Sequence, residues 1–167
     1  PAPTLSRFNL AQLAAEVIEA ETLAGEAVGR VEFLTDIPPS LVIRADRDQL
    51  YRVLANLARN ARQAIEATGG PGTVEIGAGE AESDWWIKVC DSGPGLPDKA
   101  REYLFKPFTG STRRGGTGLG LTIAADLVRG HGGRLILLRS DAEGSQFCIH
   151  IPRGMADLSA RADAAAR

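Results

Sequence analysis

The sequence predicts an α/β protein: a two-layer α/β sandwich with a mixed, mostly antiparallel sheet and helices on one face. Three observations carry that expectation. Amphipathic segments of helical period are interleaved with short β-like apolar runs. The later runs come in pairs joined by short polar turns, which favours antiparallel neighbours. The 167 residues amount to one domain, long enough to bury about 70% of the unfolded surface without a disulfide or metal staple.

The elements follow in order. Residues 1–7 read as a linker. From Phe8 to about Ala27, Leu10, Leu13, Ala14, Val17 and Ile18 recur at helical spacing behind Asn9, a candidate cap. Arg30–Asp36 and Leu41–Ala45 are β-like and read as a hairpin about the turn Ile37-Pro38-Pro39-Ser40. Asp46 to about Thr68 is the most regular helix, stopped by Gly69-Gly70-Pro71-Gly72. Two strands follow, Thr73–Ala78 and Asp84–Asp91. Residues 92–118 have loop character apart from a short helical piece near Asp98–Tyr103; a loop this long is usually a lid or binding loop. A helix from about Leu119 to Arg129 ends at Gly130-His131-Gly132-Gly133, and strands Arg134–Ser140 and Ser145–Pro152 close the domain. The domain thus spans residues 8–153, and the Ala-rich residues 154–167 read as a flexible tail, frayed or loosely helical.

Composition narrows the function. Nineteen Lys and Arg against 21 Asp and Glu give a net charge of −2, which suits neither a basic nucleic-acid reader nor a polybasic membrane patch. Cys90 and Cys148 are too few for a disulfide framework or zinc site and read as small buried residues in a reducing compartment. No apolar run approaches the roughly 18 residues of a membrane span, and the start at Pro1 reads as a piece cut from a longer protein. Glycine is the exception. Ten of the 19 lie between Gly93 and Gly133, whereas average usage is about 7% of a chain.

On the helix from Asp46, the residues Leu50, Val53, Leu54, Leu57, Ala61, Ala64 and Ile65 fall in one arc about 120° wide, with Asp48, Arg59, Arg62 and Glu66 opposite, towards solvent. Asn56, Asn60 and Gln63 lie along the border. Asn56 and Asn60 are i, i+4 neighbours, either ordinary boundary polars or neutral amides offering carbonyl oxygens to a hard cation. In the strand Ile87-Lys-Val-Cys-Asp91, alternation places Asp91 on the face of Ile87 and Val89, where a carboxylate needs a partner. A ligand amine or the following loop backbone would serve, and Gly93 and Gly95 allow a sharp turn and close approach. Gly115-Gly-Thr-Gly-Leu-Gly-Leu121 leads into a helix. It is either a flexible loop or a set of exposed N–H groups for phosphate oxygens, with the Thr117 hydroxyl beside them. It is neither a Walker loop nor a dinucleotide fingerprint.

Taken together, Asn56-Leu-Ala-Arg-Asn60-Ala, Asp91-Ser-Gly93-Pro-Gly95, Phe105-Lys-Pro-Phe108 and Gly116-Thr-Gly118-Leu119-Gly120-Leu resemble the N, G1, F and G2 boxes of the catalytic, ATP-binding domain of two-component sensor histidine kinases. Gly144-Ser145-Gln146-Phe147 resembles the short final glycine motif. The resemblance covers roughly residues 8–152. It implies a Bergerat-type ATP fold, with ATP and Mg²⁺ as the cofactors. By position, Asn60 would bind Mg²⁺, Asn56 would lie beside the phosphates as its catalytic partner, and Asp91 would accept the adenine amino group. Gly116, Thr117, Gly118, Leu119 and Gly120 would hold phosphates, and Gln63, Gly93 and Gly95 would adjoin the nucleotide. Asp98–Gly115 would form a lid anchored by Phe105 and Phe108, with Arg113 and Arg114 either on the γ-phosphate or free in solvent.

Where hydrolysing relatives carry a glutamate, this chain has Asn56, which cannot act as a base near neutral pH. That favours transfer to a protein acceptor. Neither His131, in a helix stop, nor His150, alternating on the last strand, sits on a long exposed helix, so the phosphoacceptor is expected on a dimerisation hairpin elsewhere in the parent protein. The resemblance further implies a downstream response regulator, a cytoplasmic domain whose parent is soluble or membrane-anchored, and a monomeric fragment. An anti-sigma-type serine protein kinase and a degenerate interaction module are the competing readings on the same fold.

Overall fold

The structure, a computed structural model, describes residues 2–25, 30–99, 101 and 117–154, with backbone alone at 117–119. In chain order the elements are β1 (Ser6–Asn9), α1 (Leu10–Ala24), β2 (Val31–Asp36), β3 (Val42–Ala45), α2 (Arg47–Ala67), β4 (Gly72–Glu80), β5 (Asp84–Asp91), α3 (Thr117–Gly130), β6 (Arg134–Asp141) and β7 (Gly144–Pro152). A five-stranded sheet has the order β2-β4-β5-β7-β6, with β2 parallel to β4 and every other pair antiparallel. The three helices cover one face. Val74, Ile76, Ile87, Val89, Ile149 and Ile151 point into that layer and are buried.

Asn9 caps α1 as expected, and Asp46, read as the first helical residue, caps α2. Asn9 Oδ1 accepts the Gln12 N–H at 2.8 Å at the head of α1, and Asp46 Oδ1 accepts the Gln49 N–H at 3.0 Å at the head of α2. Residues 30–45 do not form the expected hairpin. β3 pairs antiparallel with β1, Phe8 opposite Ile43, while β2 pairs in parallel with β4, Phe33 opposite Val74. The turn between them is held elsewhere: Asn9 Nδ2 donates to Pro39 O at 2.8 Å and the Leu10 N–H to Leu41 O at 3.1 Å. Those bonds draw residues 38–41 towards α1 instead of folding β3 back on β2. β1 also begins at Ser6, inside the segment read as a linker.

On α2 the apolar arc is buried as its period demands: Leu50, Val53, Leu54, Leu57, Ala61 and Ile65 are each 5% exposed or less. Arg62 does not point into solvent. It is 6% exposed, with Nη2 3.1 Å from Glu21 Oε1 and Nη1 2.8 Å from Glu66 Oε1, and Glu21 itself is 3% exposed. A helical wheel describes one helix; α1 lies along the flank the wheel assigned to water and supplies the carboxylate.

The sheet face away from the helices carries Trp86, with Lys88 Nζ 5.2 Å from its ring centroid, and His150. His150 Nδ1 lies 3.0 Å from Asp84 Oδ2 and its Nε2 3.4 Å from Cys148 Sγ. Both cysteines are free thiols, and burial pushes both thiol pKa values up, as befits packing groups. Among the described residues no helix is long and apolar enough to cross a membrane.

Removing Arg62 leaves the buried Glu21 with only the longer, half-exposed contact to Arg59 at 3.4 Å, so Arg62→Ala should cost about 3 kcal/mol in urea unfolding. The double change Glu21→Met with Arg62→Met, which removes both charges and keeps the volume, should recover most of that loss.

Candidate functional site

A cleft lies between α2 and the ends of β5 and β7. Val89 and Phe147 floor it, and Leu57, Ala61 and Ala64 form the α2 wall. Leu121 closes it from α3 and Leu96 from the chain after β5. Three polar side chains enter this apolar hollow: Asn60, Asp91 and Ser145.

Asp91 is the last residue of β5, in register with Val74 of β4 and Ser145 of β7. The alternation that buries Ile87 and Val89 turns its carboxylate into the cleft. Oδ1 accepts the Gly93 N–H at 2.8 Å, and the Ser145 N–H also bonds the carboxylate. Burial nevertheless pushes the carboxyl above its ordinary value; the two backbone donors and the more distant Arg139 pull it back only in part. A carboxylate accepts about four hydrogen bonds. The loop backbone therefore supplies part of the expected partnership and leaves capacity for a donor in the cleft.

The chain beyond Asp91 is fastened to the β6–β7 turn. Gly95 has φ +87°, and a Cβ there would stand 2.4 Å from Asp141 O, so both its conformation and the close approach require glycine. The Leu96 N–H donates to Ser140 Oγ at 2.7 Å, Ser140 Oγ lies 3.0 Å from Ser145 Oγ, and the Arg101 guanidinium donates to Ser140 O. Sequence reasoning missed Ser140 and Arg101 as anchors, because no local pattern links positions some 40 residues apart.

Asn56 and Asn60 lie on one edge of α2, against the start of α3. Asn56 Nδ2 donates to Gly120 O at 3.4 Å, and a Cβ on Gly120 would stand 3.6 Å from Asn60 Nδ2. Asn60 Nδ2 is buried with no hydrogen-bond partner among the described residues. Turning that amide over presents its carbonyl oxygen at the same point, a neutral hard ligand of the kind Mg²⁺ takes alongside waters and phosphate oxygens. The residues present therefore fit a divalent cation held with a polyanion. Among the described residues no cluster of His, Cys, Asp and Glu could hold a metal by itself. α3 starts at Thr117, two residues before the sequence expectation, so the first-turn N–H groups of Thr117, Gly118 and Leu119, with Gly120 behind them beside Asn60, are free of intrahelical acceptors at that end of the cleft.

The structure thus brings Asn60, Asp91 and Gly95 to one cleft, with Asn56 and Gly120 at its edge and Gly93 buried beneath Asp91. Gln63 is exposed, one turn past Asn60. It lines a separate hollow with Ala24, Arg62, Glu66 and Ala67 and, among the described residues, no part of the cleft. Phe105, Phe108, Arg113, Arg114 and Gly116 lie outside the described residues, as does the expected tail beyond Gly154.

Residues 45–155 match the family described as histidine kinase-, DNA gyrase B-, and HSP90-like ATPase. The adaptive-response sensory kinase SasA of Synechococcus sp. (strain CC9902) is 37% identical over 155 residues, covering 87% of this chain and 39% of the relative. The chain thus spans well under half the length of that relative. Among solved structures, the catalytic domain of histidine kinase ThkA is 30% identical with a TM-score of 0.72, covering 90% of this chain and 98% of that one. A structure of ThkA in complex with response regulator protein TrrA matches with a TM-score of 0.66 at 28% identity, over 90% of this chain and 42% of the other.

The raised Asp91 pKa gives a stability test that needs no ligand. The folded chain keeps this proton above the ordinary carboxyl value of 3.8, so the Asp91 contribution to stability is present at low pH and is lost as pH rises through the folded value. Asp91→Asn, which keeps an acceptor for the Gly93 N–H, should lack that decline. Urea midpoints should place the variant level with or above the wild-type chain at neutral pH, with any advantage shrinking towards pH 4.

Proposed function

The chain belongs to the family of histidine kinase-, DNA gyrase B-, and HSP90-like ATPases, and within it to the catalytic domains of histidine kinases, and we propose that it transfers the γ-phosphoryl group of Mg-ATP to a histidine on a dimerisation hairpin outside residues 1–167. The observation that carries the reading is the shared cleft of Asp91 and Asn60 at the head of α3. The family binds ATP. In this chain the Asp91 carboxylate accepts the adenine amino group between apolar walls, and the first-turn amides of α3, with Gly116 before them, take phosphate oxygens. Asn60 holds Mg²⁺, which neutralises phosphate charge, and Asn56 stands beside the phosphates. Gly93 and Gly95 shape the adenine end, and Asp98–Gly115 forms a lid, anchored by Phe105 and Phe108, that brings Arg113 and Arg114 to the γ-phosphate; Gln63, in its separate hollow, takes no part. Phosphoryl transfer needs positioning and charge neutralisation above all, and these parts supply both.

An amide has no basicity to activate water, so Asn56 leaves hydrolysis without a general base and the phosphoryl group for a protein nucleophile. Both ring nitrogens of His131 and of His150 have partners within the fold, which leaves the acceptor role to another segment. The catalytic domain spans residues 8–153, with the upstream residues as the connection to the hairpin and 154–167 as a tail. The downstream partner is a response regulator, as TrrA is for ThkA in their complex, and the domain works in the cytoplasm. Dimerisation belongs to the hairpin, so the isolated chain sediments as a monomer.

Calorimetric titration of ATP, with and without Mg²⁺, tests the site. Binding should require adenine over guanine, lose its Mg²⁺ dependence in Asn60→Ala, and weaken about 10- to 150-fold in Asp91→Ala, the worth of a charged hydrogen bond. Supplied with a dimerisation hairpin and ATP, the chain should form acid-labile phosphohistidine. Acid-stable phosphoserine would point instead to the serine-kinase class, and absence of binding by a folded chain to an interaction module.

A further inference from the structure

The residue after α3, His131, is bonded at both ring nitrogens. Nδ1 lies 2.9 Å from Leu127 O, and a carbonyl only accepts, so Nδ1 carries the proton. Nε2 is then an acceptor, and the Asp46 N–H donates to it at 3.0 Å. The imidazole is placed by the helix stop around it. The His131 N–H donates to Val128 O at 3.0 Å and the Gly133 N–H to the same carbonyl at 3.1 Å, and a Cβ on Gly133 would stand 2.0 Å from His150 O. Glycine at 133 lets the end of α3 abut β7 and carries His131 to the head of α2.

Asp46 is bonded on every side. Its Oδ1 caps α2 through the Gln49 N–H at 3.0 Å, its Oδ2 accepts the Thr4 N–H at 2.8 Å, and its own N–H goes to His131. The Thr4 and Gln49 amides hold its carboxyl below the ordinary value. α2 and α3 run antiparallel. They are tied by side-chain hydrogen bonds at this end and, roughly 15 Å away along α2 at about 1.5 Å per residue, by the longer Asn56–Gly120 contact. Between these ties lie Leu121, Ala124 and Val128, buried apolar groups whose contacts set no register.

We propose that His131 is a positioning residue of the nucleotide site. Through Asp46 it sets the register of α3 against α2, and it places the entry segment at Thr4 and the phosphate-binding end of α3 on one anchor. Apolar packing allows slip along the helix; a directional bond at one end does not, so the position of Gly120 opposite Asn56 and Asn60 depends on a residue at the far end of the helix. The proposal deepens the nucleotide reading above.

Amide exchange by NMR on the nucleotide-free chain tests the clamp without relying on that reading, and ATP titration tests its consequence. In His131→Ala, the Asp46 amide should exchange about tenfold faster and residues 120–125 should lose protection while α1 and β4 keep theirs; ATP should bind about three- to tenfold more weakly. His131→Gln, whose Oε1 can accept from Asp46, should restore both. Thr4→Pro removes the entry-segment donor without touching either helix and should loosen the Asp46 amide and residues 120–125 in the same direction. Wild-type protection of residues 120–125 in His131→Ala or in Thr4→Pro would overturn the clamp, and unchanged ATP affinity in His131→Ala would overturn its role at the site. Failure of the wild-type chain to bind ATP would sink the nucleotide reading, and the exchange data would still decide the clamp.

Discussion

The site depends on how α2 is rotated about its own axis. The sheet lies beneath it, α1 runs along one flank and α3 along the other, and Asp48, Arg52, Arg59 and Gln63 take the face left to solvent. Its apolar arc meets the sheet, and Arg62 meets Glu21 and Glu66 out of water. The strip carrying Asn56 and Asn60 turns to the α3 flank, at the border of the cleft. A buried guanidinium between two carboxylates adds little net stability over a hydrophobic pair, since desolvation offsets the attraction. It does penalise any rotation of α2, because a turned helix would strand a charge. The amides therefore face the cleft because every other rotation of α2 costs a charge or an apolar residue exposed to water.

Asp91 shows the opposite balance. Its carboxylate sits among Val89, Phe147 and Leu57, and burial raises its pKa although two backbone amides bond it. The apolar walls of the cleft are thus less comfortable for the charged group than water would be. A hydrogen-bond donor entering the cleft would relieve that cost, so part of the penalty would return as affinity for such a donor. The fold tolerates the penalty because Gly93, Ser145, Ser140 and Leu96 bind the neighbouring backbone into one hydrogen-bonded corner.

Much of this was legible along the chain. The period of α2, the cap at Asn9, the strand alternation that aims Asp91, and the glycines at the head of α3 each follow from local chemistry, and the four motifs in order pointed to the family. What stayed hidden is long-range. Nothing local says that Ile37–Ser40 gives its carbonyls to Asn9 and Leu41 rather than closing a hairpin, or that β2 seeks β4 as a parallel neighbour. Nor does a wheel reveal that Glu21 lies opposite Arg62, that Gln63 faces away from the cleft, or that His131 in a helix stop meets an N-cap 85 positions earlier. Each is a pairing between elements, and a single sequence encodes a pairing only through both partners at once.

The chemistry left to the domain follows from what its cleft lacks. Phosphates at the head of α3 would meet amide N–H groups and two neutral carboxamides, and no described carboxylate on α2 lines the cleft to take a proton from water. A site of this kind can orient a phosphoryl group and lower the charge around it, but the nucleophile has to bring its own basicity, as an imidazole does at neutral pH. With His131 and His150 both engaged in structural bonds, the proposed transfer leaves that imidazole to another segment. On that reading an acceptor helix would approach beyond Asn56 and Gly120, where the phosphates would lie, while the β6–β7 corner, bonded to Leu96, would back the adenine. The described anchors agree with that division: directional bonds hold the β6–β7 corner and the far end of α3, and the head of α3 lies between them.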